Sequence, residues 1–234
     1  MPRKNGTADK VVMQIAPRTL AANIHFSSVD KPIHTFAVVS SVPSKGKTTV
    51  AVGLGKAFAA SGAPVLMIEC DMRRRSLASV LATHGNYGLY SVLSGRRSVQ
   101  EAVVMAGMPD LYLLDAEPSI PNPAAVLQSR RFHELADTLA SMYSYVIFDT
   151  PPVNTFVDAA IVSSIADATL LVVRQGCAHC KDVADVRTQL QQADAHVIGM
   201  VLNCADVENS GKYYGYYHEK RNVSYGMLAG NEAS

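Results

Sequence analysis

The residues best placed to do chemistry are Ser41-Val42-Pro43-Ser44-Lys45-Gly46-Lys47-Thr48-Thr49, which follow the apolar run Thr35 to Ser40 and lead into the helix-like stretch AVGLGKAFAA. In a strand–loop–helix of this make, backbone N–H groups and the helix N-terminus cradle phosphate oxygens. Gly46 permits the close approach, Lys47 reaches the β and γ phosphates, and the Thr48 hydroxyl suits Mg²⁺. Ser41 stands where the usual consensus opens on glycine. Taken alone, the Gly-Lys-Thr tripeptide could be a plain turn into a helix. Two acidic strand ends argue otherwise: Val65 to Ile68 runs into Glu69-Cys70-Asp71, and Tyr145 to Phe148 into Asp149-Thr150-Pro151-Pro152. Open parallel sheets bind ligands beyond the carboxyl ends of their strands, and an apolar strand ending in Asp holds Mg²⁺ directly or through water. Either acid alone could merely cap a helix. The three elements in this order read as a site for the phosphates of a nucleotide and for Mg²⁺.

Positioning such a site takes alternating strands and helices. The strand candidates are Thr35 to Ser40, Pro64 to Ile68, Leu111 to Leu114, Tyr145 to Phe148, Thr169 to Val173 and Val197 to Leu202. Most are runs of Val, Ile and Leu without strict alternation, as in strands buried on both faces. The helix candidates are Thr48 to Ala60, Pro123 to Met142, Asp158 to Ile165 and Lys181 to Gln192, with a short one near Thr19 to Phe26. The fold class expected is α/β of the P-loop NTPase type, a mostly parallel central sheet with helices on both faces. Residues 1–32 read as an N-terminal extension, 33–205 as the domain and 206–234 as a flexible tail.

Composition narrows the class. The chain has 234 residues, 48% of them hydrophobic and 18% charged, which suits one globular domain and excludes collagen-like, coiled-coil and wholly disordered chains. A net charge of +1 offers no global basic field for nucleic acid or an anionic membrane. The basic start, MPRKNGTADK, leads into no apolar signal core, and no run approaches the ~20 residues of a membrane span. A cytoplasmic location is expected, with the four cysteines as thiols. Cys177-Ala178-His179-Cys180 has metal-site spacing but no second pair, so it reads as loop thiols. Arg73-Arg74-Arg75, Arg96-Arg97 and Arg130-Arg131 read as solvated faces.

The three phosphate-site motifs, SSVPSKGKTT, VLMIECDMR and YVIFDTPPV, resemble those of the bacterial tyrosine kinases, ATPases of capsular and exopolysaccharide export. That family carries a loop of the form SxxPGxGK[ST]T, an apolar run before DxDxR, and another before D[ST]PP. The likeness extends to residues 88–95, Ile120 to Pro123 and Gly199 to Asn203, covering roughly residues 18 to 225. It implies binding of nucleotide by Ser44, Lys45, Gly46, Lys47, Thr48, Thr49 and Asn203, the last at the adenine. Thr48, Asp71 and Asp149 would organise Mg²⁺, Lys47 would hold the transferred phosphate, and Glu69 occupies the place of the acid that takes the proton from the acceptor tyrosine. Arg73 falls on the arginine of DxDxR, where it would sense phosphate or a neighbouring subunit. Of the family's EX₂RX₂R oligomer motif only Arg18 is present.

The end of the chain fits transfer to tyrosine. Tyr213, Tyr214, Tyr216, Tyr217 and Tyr225 cluster in a polar segment with little core to fill, although an interface strand could also use such aromatics. The resemblance implies autophosphorylation there on a neighbouring subunit, a homo-oligomer, a membrane-anchored polysaccharide co-polymerase as activator, a tyrosine phosphatase as antagonist, and no nucleic acid. It places the chain peripherally at the inner face of the membrane. The rival reading is a switch ATPase of the partitioning and division-site type, whose signature lysine is replaced here by Val42. A third is a nucleotide-binding module without turnover, to which Ser41, Ser44 and Glu69 point.

Overall fold

The computed structural model describes residues 6–27, 32–177 and 179–205, with side chains over 15–26, 32–177 and 179–205. The architecture below belongs to the unit Met1–Asn203. The elements in order are α1 (Gly6–Ser27), β1 (Thr35–Ser40), α2 (Lys47–Ala59), β2 (Val65–Glu69), α3 (Leu77–Leu81), α4 (Leu89–Leu93), α5 (Val99–Ala102) and β3 (Val104–Met105). There follow β4 (Leu111–Leu114), α6 (Pro123–Leu127), α7 (Arg130–Met142), β5 (Tyr145–Asp149), α8 (Asp158–Ile165), β6 (Ala168–Arg174), α9 (Cys180–Gln192) and β7 (Val197–Asn203).

The strands form one seven-stranded sheet in the order β3-β4-β2-β5-β1-β6-β7. Every pairing is parallel except β3 with β4. Alternate side chains of the central strands serve two apolar layers. Val39, Ile68 and Phe148 pack with Leu89, Phe132, Leu139, Val162 and Val186 from α4, α7, α8 and α9. On the opposite face Phe36, Val38 and Met67 pack with Leu54, Phe58 and Leu77 from α2 and α3. This is why β1 and β2 read as unbroken apolar runs: every residue of both is buried.

The N-terminal helix is longer than the short one expected near Thr19 to Phe26. It carries Pro17, which lies against Gly53 of α2; a Cβ at position 53 would come within 3.1 Å of Pro17 Cγ. Small size at Gly53 is therefore what lets α1 settle on α2. No helix among the described residues is long and apolar enough to cross a membrane.

The single helix expected over Pro123 to Met142 is corrected to two, α6 and α7. Ser129 has extended backbone (φ −68°, ψ 143°), and its hydroxyl accepts the Phe132 N–H at 3.2 Å, so it starts a new helix. The break lets Leu127 and Phe132 both reach the same core layer. Ser129→Ala should lower stability by about 1 kcal/mol, a loss of about 2–4 °C in Tm readable by circular dichroism.

Candidate active site

The site follows from strand order. β5 lies between β2 and β1, with Glu69 paired to Asp149 and Val38 to Asp149 across the two ladders. The acidic ends of β2 and β5 and the loop after β1 thus share one edge of the sheet. Within the loop, Ser44 and Gly46 take left-handed backbone at φ 61° and 83°, and Gly46 caps α2 with no side-chain hydrogen bond. The first N–H groups of α2 are left to a ligand, the arrangement that favours anions at a helix N-terminus.

Asp149 is fully buried, and its two oxygens are divided between the two residues that open α2. Lys47 Nζ lies 2.6 Å from Oδ1, and Thr48 Oγ1 donates to Oδ2 at 2.6 Å. Ser76 Oγ is 2.8 Å from Thr48 Oγ1. Sequence reading missed Ser76, whose only signal is its place after the acidic end of β2. Thr48, Ser76 and Asp149 are all oxygen donors, which fits Mg²⁺; that ion takes one or two carboxylates and fills its octahedron with phosphate oxygens and water. A cavity of about 290 Å³ is lined by residues 43–49, Asp71, Arg73, Arg74, Ser76, Pro152 and Phe156. Burial pushes the Asp71 carboxyl above its ordinary value.

Glu69 stands elsewhere. It does not line the cavity and has no exposed surface. Its Oε1 accepts the Asp71 N–H at 3.0 Å, and Oε2 those of Ser76 and Leu77 at 2.7 and 3.0 Å. This carboxyl group ties down the loop that carries Asp71 and starts α3. Burial first, then the Asp149 charge, pushes it up to about 8 against the opposing pull of the Leu77 and Ser76 N–H groups and the Lys47 charge.

Asn203, at the end of β7, donates from Nδ2 to the Lys45 carbonyl at 2.8 Å. Lys45 Nζ donates in turn to the Cys177 carbonyl at 2.7 Å, so the ends of β6 and β7 brace the loop from the other side. Cys177 and Cys180 are exposed free thiols. Arg73 is not a merely solvated residue: it pairs with Asp158 Oδ2 and lies over the Phe156 ring at 4.1 Å. Neither partner was legible, since Asp158 is 85 residues away in the chain. The five tail tyrosines lie outside the described residues.

A phosphate loop opening a helix, with an Asp-terminated neighbouring strand gripping its Lys and Thr, defines a P-loop NTPase. The AAA-domain family model matches residues 35–197. Tyrosine-protein kinase YwqD of Bacillus subtilis is 34% identical over 205 residues, 88% of this chain and 86% of that protein. The kinase domain of Escherichia coli tyrosine kinase ETK superposes with a TM-score of 0.76 at 28% identity, covering 80% of this chain and 73% of that one. The septum site-determining protein MinD of Pyrococcus horikoshii, complexed with Mg-ADP, shares the fold more distantly, with a TM-score of 0.63 at 24% identity over 72% of this chain and 69% of that one. The chain belongs to the AAA-domain family and, within it, to the bacterial tyrosine kinases.

Two outcomes test this geometry. A Cβ at Gly46 would lie 2.1 Å from Asn203 Nδ2 in a left-handed backbone. Gly46→Ala should therefore weaken binding of a fluorescent ADP analogue by roughly tenfold or more. Glu69 holds its proton more tightly folded than unfolded, because about 8 lies above the ordinary 4.5. Its contribution to stability is full below pH about 4.5 and is lost as the pH rises through about 8. Glu69→Gln should lower Tm overall by losing an N–H acceptor, yet flatten the fall in Tm between pH 5 and 9 that wild type should show without nucleotide or divalent ions.

Proposed function

We propose that this chain is an ATP- and Mg²⁺-dependent protein-tyrosine autokinase that controls capsular or exopolysaccharide synthesis and export. What carries the reading is Asp71, a carboxylate in the cavity wall facing the phosphate loop, in a chain 34% identical to a tyrosine-protein kinase. In this reading Ser44 to Thr49 bind the phosphates, Asn203 the adenine side, and Thr48, Asp71 and Asp149 organise Mg²⁺. The bound ion would neutralise charge on the β and γ phosphates. Lys47 exchanges its hold on Asp149 for the transferred phosphoryl.

The acceptor phenol oxygen forms a bond to the γ phosphorus, the bond to the bridging β,γ oxygen breaks, and ADP leaves. The phenol proton goes to a carboxylate in the cavity, and Asp71 meets that need. Glu69, the residue whose place in the motif first marks it for this task, lies behind Asp71 and positions it. Little covalent chemistry is asked of the protein; positioning and charge neutralisation do most of the catalysis.

The acceptors are Tyr213, Tyr214, Tyr216, Tyr217 and Tyr225 on a neighbouring copy, where added phosphates repel one another and loosen the assembly. A membrane-anchored co-polymerase recruits and activates the chain at the inner face of the membrane, and a tyrosine phosphatase reverses it. Nucleic acid is not a partner. Mass spectrometry of the purified chain incubated with Mg²⁺ and ATP should find phosphate on these tyrosines. Lys47→Met should abolish it, and Asp71→Asn should slow it by roughly 10²–10⁴-fold. Steady ATP hydrolysis with unmodified tyrosines would instead identify a switch ATPase, and undiminished labelling by Lys47→Met would overturn the site.

A further inference from the structure

Phosphate recognition calls for N–H groups and cations, and residues 44–49 supply them. Part of the lining of the same cavity is of another kind. Three rings, those of Pro43, Pro152 and Phe156, line it together with Arg73 and Asp71. No phosphate gains from an apolar ring wall; an aromatic ligand does.

The wall is also held in place. The Arg73 guanidinium lies over the Phe156 ring at 4.1 Å and is anchored by its ion pair with Asp158. Asp158 is fully buried in the first turn of α8, and one of its oxygens has no hydrogen-bond partner. Letting go of Arg73 would leave a buried charge uncompensated, so the pair has strong reason to stay closed. Arg73 is thereby fixed with one face on a ring and its side chain 32% exposed along the cavity.

Strand order says which end of the phosphate site this wall serves. Arg73 and Asp71 follow β2, and Pro152 and Phe156 follow β5, both on one side of β1. Cys177, which follows β6, and Asn203, which ends β7, brace Lys45 from the other side. Asp149, the partner of Lys47 and Thr48, ends β5 as well. Pro152 and Phe156 therefore stand at the end of the cradle where the charge-handling groups gather, away from the Asn203 end, with Pro43 in the loop between.

We infer that Pro43, Pro152 and Phe156, stiffened by Arg73 and Asp158, form the seat of the acceptor side chain, which takes a phenol ring and holds its hydroxyl toward Asp71. This rests on the tyrosine-kinase reading and assigns its acceptor subsite. It also accounts for a preference for tyrosine over serine or threonine, since an aliphatic alcohol leaves the rings uncovered.

The test reads binding as well as transfer. A fluorescein-labelled peptide of residues 211–220, GKYYGYYHEK, is titrated by anisotropy against the full chain saturated with Mg²⁺ and ADP. Phe156→Leu should weaken the peptide about tenfold, and Phe156→Tyr should restore it. A peptide with serine in place of its tyrosines should bind wild type as weakly as the tyrosine peptide binds Phe156→Leu, and the two changes should not add. Affinity for ADP should move by less than about twofold, which also shows that the variant is folded.

An equal loss of ADP affinity in Phe156→Leu would give the wall to the nucleotide base and overturn the inference. So would unchanged peptide binding by the variant, or no binding to wild type at millimolar peptide. If wild type binds the peptide through Phe156 yet transfers no phosphate to tyrosine, the kinase reading falls and the aromatic subsite stands. If it transfers phosphate while peptide binding ignores Phe156, the subsite falls and the kinase stands.

Discussion

Everything in the site hangs on the buried carboxylate of Asp149. It has no contact with solvent, and its two oxygens meet Lys47 and Thr48 at 2.6 Å each. A buried carboxylate is costly unless paired and fully hydrogen-bonded, so β5 can end in Asp here only because the loop after β1 supplies a cation and a hydroxyl. The dependence runs both ways. Lys47 is itself buried, with 8% of its surface exposed, and needs an anion nearby. Phosphate is the other anion that can meet that need. The same pair therefore fixes the resting geometry of the loop and readies its lysine to change partners.

A second buried acid sets where Asp71 stands. Glu69 gathers three backbone N–H groups across the turn from Asp71 to Leu77. The turn carries Asp71, Arg73 and Ser76, all of which line the cavity. An aspartate at position 69 would have one methylene less with which to reach those donors. The longer side chain and the local course of the turn are thus matched. Glu69 is thus a buried support, with the cavity-lining Asp71 two residues further on.

Legibility in the sequence followed the range of the interactions. β1, β2 and β5 were plain because burial on both faces leaves an unbroken apolar run, and Gly46-Lys47-Thr48 was plain because its chemistry is packed into three consecutive residues. The break at Ser129 was hidden because a helix N-cap and a serine inside a helix look alike until the backbone turns. Two-residue β3 and the short helices α3 to α5 have too few residues to show any period. The ring wall was beyond reach. Pro43, Arg73, Pro152 and Phe156 come from three separate loops, and only the strand order brings them together.

The phosphate loop shows how a departure from a motif can be carried by its surroundings. The family pattern SxxPGxGK places glycine where this chain has Ser44, and Ser44 takes φ 61°, a left-handed conformation that a Cβ disfavours by about 1–2 kcal/mol. Such strain persists only where neighbouring structure over-determines the backbone. Two hydrogen bonds on the very next residue do that. The Lys45 carbonyl accepts from Asn203, and the Lys45 ammonium donates to the Cys177 carbonyl. Each contributes about 1 kcal/mol, with the charged one stronger, enough to offset the strain at Ser44. The loop after β6 and the end of β7 are therefore structural partners of the phosphate loop as well as its neighbours, and a change at Asn203 acts on phosphate binding through the backbone of Lys45.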